Sequence, residues 1–361
     1  MSRILLLLAH RENRRLLADW LATRYQVVLP ESERALEEPF DLGIIDGPAL
    51  DRLGKWVQAF KKAARPGLLP FLLVTHRQGV GMATRHLWES VDELIISPIE
   101  KAELQARVEL LLRARQLSLQ NAALTRQLET ELARAGVVQA ELLPCDAPPL
   151  PGFELKARCI PAREVGGDFY DWQEITPGVL TLTVGDVMGK GMPAALLMAT
   201  VRATLRAVAR QNPPAAALEL AGQALETDFE RTGSFVTLFH AQLDVGARRL
   251  RYVDAGHSHV FVCRANGTIE ELERGGRPLG LPSQQAYQEG AVTFRAGDAL
   301  VVYSDGLLEA WSDRDPLALT DQCRGATSAA LLVERLVGFA ARAGSPSDDL
   351  TVVVLRCNDE R

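Results

Sequence analysis

One long helical segment divides this sequence into two parts with different patterns. From residue 101 to residue 143, apolar residues recur at alternating spacings of three and four, as they do along one face of a long helix. Pro144 ends the segment, and the prolines between residues 148 and 151 predict a stiff, extended connection after it. We therefore predict three parts, at residues 1–112, 113–144 and 145–361.

The apolar positions of this segment follow the seven-residue repeat of a coiled coil. The repeat consists of Leu110, Ala114, Leu117, Asn121, Leu124, Leu128, Glu131, Ala135, Val138 and Leu142. Asn121 takes an a position, where asparagine favours a parallel two-stranded coil because its amide pairs with the same residue of the other helix. We predict a homodimer joined through this linker helix. Glu131 and Ala135 weaken the seam, and the alternative is a single amphipathic helix packed on a neighbouring domain.

The first hundred residues alternate short apolar runs with amphipathic segments. We predict strands at residues 4–8, 25–29, 42–45, 70–74 and 93–96. Helices are predicted at residues 13–23 and 53–64. Apolar strands that alternate with helices are typical of a five-stranded parallel sheet covered on both faces, an α/β fold.

The C-terminal part is rich in strands bounded by Gly, Asp and Pro. We predict strands at residues 179–187, 235–243, 250–253, 260–263, 299–303 and 350–355. Helices are predicted at residues 193–210, 215–230 and 328–342. Many strands with segregated helices predict an α+β fold built on a β-sandwich flanked by helices.

Charge and cysteine content exclude several kinds of function. The formal net charge is −6, whereas a nucleic-acid-binding protein normally carries a basic patch, so we expect protein partners and no nucleic acid. The cysteines are Cys145, Cys159, Cys263, Cys323 and Cys357. They are odd in number, widely spaced and form no CxxC pair, which argues against a zinc cluster or a disulfide framework. No apolar run is long enough to span a bilayer, so we expect a cytoplasmic protein without a membrane contact.

Aspartates border the predicted strands of the C-terminal part. They are Asp168, Asp186, Asp305, Asp348 and Asp349, and glycines flank the first three. A single Asp-Gly is usually a turn. Several carboxylates at strand ends, without a histidine or cysteine cluster, instead favour a site for hard cations such as Mg²⁺ or Mn²⁺.

The motifs that contain these aspartates resemble, in order, those of the SpoIIE-type branch of the metal-dependent (PPM, protein phosphatase 2C-like) serine/threonine phosphatases. The matching segments are PAREVGGDFYD at 161–171, GDVMGKG at 185–191, FVTLF at 235–239, AGH at 255–257, RPLGL at 277–281, SDG at 304–306 and DDLT at 348–351. The resemblance runs from about Leu143 to Arg356.

The resemblance implies two Mn²⁺ or Mg²⁺ ions at one edge of the sandwich. Asp186 would bridge the ions, with the backbone carbonyl of Val187 beside it. Asp168 would complete the shell of one ion, and Asp305 and Asp348 would serve the other; Asp349 is a further ligand candidate, ranked below Asp348. The predicted catalytic residues are Asp168, Asp186, Asp305 and Asp348, acting by metal-activated water.

Three further residues in the motifs have two interpretations each. His257 is either the general acid or, as we prefer, a structural hydrogen-bonding residue near the sheet. Arg163 and Lys190 either bind the substrate phosphate or are solvated loop residues.

Residues 3–112 resemble the receiver domain of two-component response regulators. Asp46 takes the place of the phosphoacceptor, Thr75 that of the switch hydroxyl, and Pro98 that of the proline after the fifth strand. Ala9-His10 replaces the acidic pair that holds Mg²⁺, and Ser97 replaces the lysine that pairs with the phosphoryl group. We therefore predict a degenerate receiver in which Asp46 has lost efficient phosphotransfer.

The resemblances predict a response-regulator-type phosphatase that acts on phosphoserine or phosphothreonine of a partner protein. The implied substrate is an antagonist of an anti-sigma factor, and an upstream kinase or signalling protein would act at the receiver. The alternative is a non-catalytic dimeric adaptor that binds a partner through the phosphatase fold. Retention of every metal-site aspartate favours the enzyme, because an inactive copy is expected to lose some of them.

Overall fold

The chain divides into two units, Met1–Thr130 and Glu131–Arg361. The structure is a computed structural model that describes residues 1–30, 38–76, 90–273, 275–282, 284–309, 321–342 and 348–358. Each unit has its own hydrophobic cores, built from different strands and helices.

The first unit is centred on a parallel sheet. Its strands are β1 (Arg3–Leu7), β2 (Gln26–Val28), β3 (Leu42–Asp46), β4 (Phe71–His76) and β5 (Glu93–Ser97). Their order is β2-β1-β3-β4-β5, and every pair is parallel. Alternate residues of β1 enter separate cores on the two faces of the sheet, Ile4 and Leu6 on one and Leu5 and Leu7 on the other. The predicted five-stranded parallel sheet, buried on both faces, is confirmed.

Two helices of this unit follow strands directly. They are α1 (Arg11–Leu21) and α2 (Gly47–Ala63). Helix α2 begins earlier than the predicted residue 53, because Asp46 caps it by accepting a hydrogen bond from the amide of Ala49 at 3.0 Å and Pro48 occupies its first turn.

Helix α3 (Lys101–Leu142) is one continuous element, as its periodicity predicts. Leu104, Val108 and Leu111 in its first turns are buried in the core of the first unit. The leucines of the predicted seam are exposed: Leu110 by 60%, Leu117 by 52%, Leu124 by 59% and Leu128 by 59%. Among the described residues, Ala114 of the seam is half-buried and these leucines are exposed, and the coiled-coil dimer stays a prediction. No helix within the described residues has both the length and the apolarity needed to cross a bilayer.

Two antiparallel sheets form the second unit. The first has the order β13-β10-β9-β8-β7 and the second β12-β11-β14-β15-β6. The strands are β6 (Phe153–Ile160), β7 (Phe169–Thr176), β8 (Val179–Val187), β9 (Val236–Asp244), β10 (Arg249–Ala255), β11 (Val260–Cys263), β12 (Ile269–Glu271), β13 (Gly290–Thr293), β14 (Ala299–Tyr303) and β15 (Leu350–Cys357). Leu182 and Phe239 of the first sheet share a core with Val262, Val302 and Val353 of the second, so the sheets form a sandwich.

Helices cover both outer faces of this sandwich. Helices α4 (Met192–Val208) and α5 (Pro214–Thr232) share a core with the first sheet. Helix α6 (Asp305–Glu309) is a short element after β14, and α7 (Ala329–Ala341) packs on the second sheet. The predicted β-sandwich flanked by helices is therefore confirmed.

Candidate active site

The candidate aspartates lie where strands of the two sheets begin or end. Asp168 directly precedes β7, and Asp186 lies near the end of β8, opposite Thr237. Asp305 follows β14, and Asp348 and Asp349 precede β15. Phe169 pairs with Gly185 and Tyr303 pairs with Val352, so the members of each strand pair present their aspartates at the same end.

Electrostatic effects on Asp186 show that the carboxylates lie close together. Burial raises the pKa of Asp186 to about 7, with further contributions from repulsion by Asp305, Asp348 and Asp349. Lys190 acts in the opposite direction and lowers this pKa. The structure thus brings the predicted aspartates into one acidic cluster, although they come from distant parts of the sequence.

Asp168 is the most deeply buried member of this cluster. Its side chain is 4% exposed, and Oδ2 has no hydrogen-bond partner among the described residues. Burial and repulsion from Asp186 raise its pKa well above the usual range, against the effect of the nearby Ser304 and Thr351 hydroxyls. A buried carboxylate oxygen without a donor is expected to bind a cation or a proton.

Asp348 and Asp349 have different partners. Asp348 Oδ2 lies 2.7 Å from the ammonium of Lys190, and both side chains are partly exposed. Asp349 is buried, and its two oxygens accept hydrogen bonds from the amides of Ala162 at 2.8 Å and Gly167 at 2.7 Å. Asp349 therefore holds the loop before Asp168, whereas Asp348 lies among the other carboxylates.

The carbonyl of Val187 faces the same loop. A Cβ atom added to Gly167 would lie 2.8 Å from the Val187 oxygen, so only glycine allows this close approach. The side chain of Val187 is buried in the core below α4. Its carbonyl therefore lies against Gly167, the residue before Asp168, and its role as a metal ligand stays a prediction.

The donor set of the cluster fits hard cations better than soft ones. Every predicted ligand atom is an oxygen, and Mg²⁺ and Mn²⁺ prefer oxygen ligands. Within the described residues, no group of three or more His, Cys, Asp or Glu side chains has the spacing to hold a metal ion by itself. Mg²⁺ usually keeps several waters and needs only one or two carboxylates, so an open site of this kind is compatible with it.

Ser304 contributes to the site, although the sequence analysis assigned it no role. Its hydroxyl donates to the carbonyl of Asp349 at 3.0 Å and accepts from the amide of Thr351 at 2.8 Å. Ser304 thus ties the end of β14 to the start of β15, the segments that carry Asp305 and Asp348. In the sequence, its position directly before Asp305 in the segment SDG is what could have indicated this role.

Asp171 is a second residue that the sequence analysis left without a role. Its Oδ1 accepts from Arg202 at 3.1 Å and Arg206 at 2.7 Å, both on α4. Burial raises the pKa of Asp171, and the two arginines act against this rise. The pairs join α4 to β7, which follows Asp168.

His257 is a buried residue in the connection between β10 and β11, and it contacts Thr237, the residue opposite Asp186. Its Nδ1 is 3.4 Å from the hydroxyl of Thr237, and its buried Nε2 has no partner among the described residues. Burial lowers the pKa of His257 to about 3, with a smaller contribution from His259. A histidine that is neutral at pH 7 has no extra proton to donate, which favours the structural interpretation over the general acid.

Asp46 belongs to the first unit and uses both carboxylate oxygens locally. Oδ2 accepts from the amide of Ala9 at 2.7 Å, and Oδ1 accepts from Ala49 as the cap of α2. Thr75 and Ser97 lie at the ends of the neighbouring strands β4 and β5. The sheet therefore collects these positions at its carboxyl edge.

Known proteins resemble about half of this chain. Protein IcfG of Synechocystis sp. is 27% identical over 209 residues, which cover 50% of this chain and 33% of IcfG. Phosphoserine phosphatase RsbU of Bacillus subtilis is 26% identical over 186 residues, covering 51% of this chain and 55% of RsbU. The chain thus matches about half or less of the length of these relatives.

A solved structure and a family pattern agree with these relatives. The structure of the RsbU and RsbW domains of Rv1364c from Mycobacterium tuberculosis has a TM-score of 0.53 and 26% identity, over 59% of this chain and 62% of that one. The pattern of the family described as Stage II sporulation protein E (SpoIIE) matches residues 176–358, just over half of the 361 residues. The chain therefore belongs to the Stage II sporulation protein E (SpoIIE) family.

Proposed function

We propose that this chain is a metal-dependent protein phosphatase that hydrolyses phosphoserine or phosphothreonine on a partner protein. The main support for the proposal is the acidic cluster at one edge of the sandwich. Asp305 and Asp348 lie close enough to Asp186 for their charges to raise its pKa, so the three carboxylates can act on one ligand. The name of RsbU, a phosphoserine phosphatase, supports the substrate class.

We assign the cluster to two Mn²⁺ or Mg²⁺ ions. Asp168 would help to hold one ion and Asp305 and Asp348 the other, and Asp186 and the backbone carbonyl of Val187 would complete the set of ligands. When bound, such ions neutralise phosphoryl oxygens and lower the pKa of water. Burial and mutual repulsion raise the pKa values of Asp168 and Asp186, and a bound cation would oppose both effects.

Other residues of the chain hold this site in shape. Asp349 and Ser304 fix the loops that carry Asp168, Asp305 and Asp348. We propose that the exposed Arg163 binds the substrate phosphate, since its guanidinium lies beside Gly191 in the loop that follows Asp186. A guanidinium can donate two parallel hydrogen bonds to a phosphate, which fits this role.

For the whole protein we propose a response-regulator-type signalling phosphatase. The substrate we favour, from the family resemblance, is an antagonist of an anti-sigma factor. The strand order of the first unit is that of flavodoxin-like folds, which supports a receiver-like domain. Because both oxygens of Asp46 are engaged by backbone amides, we propose that this domain senses a kinase or another signalling protein, or a dimer contact, without efficient phosphotransfer.

Metal-dependent hydrolysis of an aryl phosphate tests the proposal. We expect wild-type protein to require Mn²⁺ and Asp186→Asn to lose at least about a hundredfold in rate, because metal charge stabilisation is worth several kcal/mol. Asp228→Asn, an exposed change on α5, is the matched control and should keep full activity. Equal rates for wild type and Asp186→Asn, or activity in chelator, would reject the enzyme.

A non-catalytic adaptor is the second candidate. Its support is that no group of three His, Cys, Asp or Glu side chains among the described residues holds a metal by itself and that Lys190 already pairs with Asp348. Under this alternative the wild type hydrolyses nothing at any Mn²⁺ concentration, yet binds its partner without metal.

A further inference from the structure

The C-terminal turns of α3 are hydrogen-bonded to the loop that precedes Asp168. Gln139 donates from Nε2 to the carbonyl of Gly166 at 2.7 Å. The amide of Gly166 donates in return to Oε1 of Gln139 at 3.0 Å. One side-chain amide thus satisfies both backbone groups of Gly166, as a neighbouring strand would.

Gly136, one turn earlier in the helix, brings the helix and the same loop into close contact. A Cβ atom on Gly136 would lie 2.1 Å from the carbonyl oxygen of Glu164, too close for any side chain. Glycine is unfavourable in the interior of a helix, so a packing reason is expected where it occurs there. Here the reason is the approach of the loop backbone to the helix.

The opposite side of the loop is held by Asp349. Its carboxylate accepts hydrogen bonds from the amides of Ala162 and Gly167, on either side of the residues that contact the helix. The loop is therefore fixed between a buried carboxylate on one side and the Gln139 amide on the other. Asp168 is the next residue after Gly167, so its backbone position depends on both contacts.

From these contacts we infer that Gln139 and Gly136 are positioning residues for Asp168, and that the end of the linker helix completes the acidic site. The inference rests on the proposed function for the role of Asp168. The proposed function does not include two further points. The site contains a segment outside the sandwich, and the contact between Gln139 and Gly166 determines how well Asp168 is positioned for a cation. A helix that leaves the loop would release one of the two supports of Asp168.

The test uses the full-length chain with Gln139→Ala, the isosteric Gln139→Glu, and Gly136→Ala. Gln139→Glu keeps the size of the side chain but replaces the donor that Gly166 requires. Gln127→Ala is the control, because Gln127 is an exposed glutamine on the same helix. Mn²⁺ binding is measured from the electron paramagnetic resonance signal of free Mn²⁺, and amide hydrogen exchange of residues 161–168 is measured without metal.

We expect both Gln139 variants to bind Mn²⁺ about tenfold more weakly or worse, the range seen when residues supporting metal ligands are lost. Exchange at the amides of Gly167 and Asp168 should rise while that of β15 stays as in wild type. Gly136→Ala should also weaken Mn²⁺ binding, because its Cβ would displace the carbonyl of Glu164 although alanine favours the helix itself. Gln127→Ala should match wild type in both measurements.

The inference is overturned if Gln139→Ala or Gln139→Glu leaves Mn²⁺ affinity unchanged and raises exchange at Gly166 alone. If the Gln139 variants do not fold, Gly136→Ala replaces them in the test, and unchanged Mn²⁺ affinity in this variant overturns the inference. Failure of the proposed function looks different: Mn²⁺ binding and exchange respond to the variants, but no phosphate ester is hydrolysed. If even the wild type binds no Mn²⁺, the exchange measurement alone decides whether the helix positions Asp168.

Discussion

Asp348 and Asp349 are adjacent in the sequence and contact different parts of the site. Asp348 lies beside Lys190, and Asp349 accepts hydrogen bonds from the backbone of the Asp168 loop. Removing Asp349 would leave the buried amide of Gly167 and the partly buried amide of Ala162 without this acceptor, and an unsatisfied buried amide costs more than its hydrogen bond contributes. The two carboxylates therefore support the site in separate ways, one directly and one through the loop.

A substitution of Arg163 tests the proposed phosphate contact. We expect Arg163→Ala to raise KM about tenfold with little change in kcat, because a charged hydrogen bond to phosphate contributes about 1.5–3 kcal/mol to binding. Arg163→Lys should recover part of the loss, since lysine keeps the charge without the paired donors. Arg231→Ala, exposed at the end of α5, is the control, and an unchanged KM in Arg163→Ala would remove this residue from the substrate site.

Buried His240 predicts a loss of stability in weak acid. Burial lowers its pKa to about 4, and its Nδ1 is 2.8 Å from the hydroxyl of Thr183. Because the folded-state pKa lies below the unfolded value, the histidine stabilises the fold above about pH 6.5 and this contribution is lost as the pH falls toward 4. Between pH 7 and pH 5 the free energy of unfolding should fall by about 2 kcal/mol from His240.

Urea unfolding at the two pH values measures this effect. Buried His257, whose pKa is lowered to about 3, should contribute a similar loss. His240→Gln is therefore expected to remove about half of the histidine-dependent difference. A variant with the same pH dependence as wild type would show that His240 does not titrate in this range.

At the scale of elements, helix α3 carries a row of leucines that are largely exposed. Leu110, Leu117, Leu124 and Leu128 are each at least half exposed. Burial of one leucine is worth about 1.5–3 kcal/mol, so a second copy of the helix would gain substantially from covering them. The heptad spacing and Asn121 favour a parallel pair.

Charged substitutions along this row test the dimer. The double variant Leu117→Glu with Leu124→Glu should be monomeric at micromolar concentration, because the four leucines of a dimer would forfeit about 6 kcal/mol or more. Ala123→Glu with Thr130→Glu has the same charge and spacing on a different face and should stay dimeric. Light scattering after size exclusion gives the mass, and a wild-type monomer would contradict the predicted coil.

The strands that the sequence predicted correctly are those with continuous apolar runs. The predicted bounds of β8, β11 and β14 coincide with the observed ones, and all three are almost wholly buried. The missed strands β6 and β7 mix charged and apolar residues, and β12 and β13 are short strands at sheet edges. Their pairing depends on neighbours distant in sequence, which a local pattern does not contain.

The candidate site shows the same division between local and distant information. Asp168, Asp186, Asp305 and Asp348 were identifiable because each stands in a short motif with glycine or a strand beside it. The contacts of Gln139 with Gly166 and of Ser304 with Thr351 join residues far apart along the chain. A glutamine in a helix and a serine after a strand carry no local sign of such partners.

At the scale of the whole molecule, the second unit has the cores needed to fold alone. Its sandwich and its two helical layers are formed within residues 131–361. We therefore expect a variant without residues 1–115 to fold. If the first unit controls phosphatase activity, this variant should differ from the full chain in oligomeric state, or in turnover by several-fold. Circular dichroism, light scattering and phosphatase assays check this, and a variant identical to full length in mass and turnover would contradict control by the first unit.

We expect the crowded carboxylates of the acidic cluster to affect how long the protein lasts in a cell. Burial and mutual repulsion make the ionised forms of Asp168 and Asp186 unfavourable in the metal-free chain. Replacing either aspartate with a neutral residue should therefore raise the free energy of unfolding, although it removes a carboxylate of the proposed site. Inactive Asp186→Asn protein should accordingly resist proteolysis better than wild type whenever metal is scarce. A cell that carries both forms would then accumulate the inactive one, and where copies pair, the more durable protein would act as a dominant inhibitor.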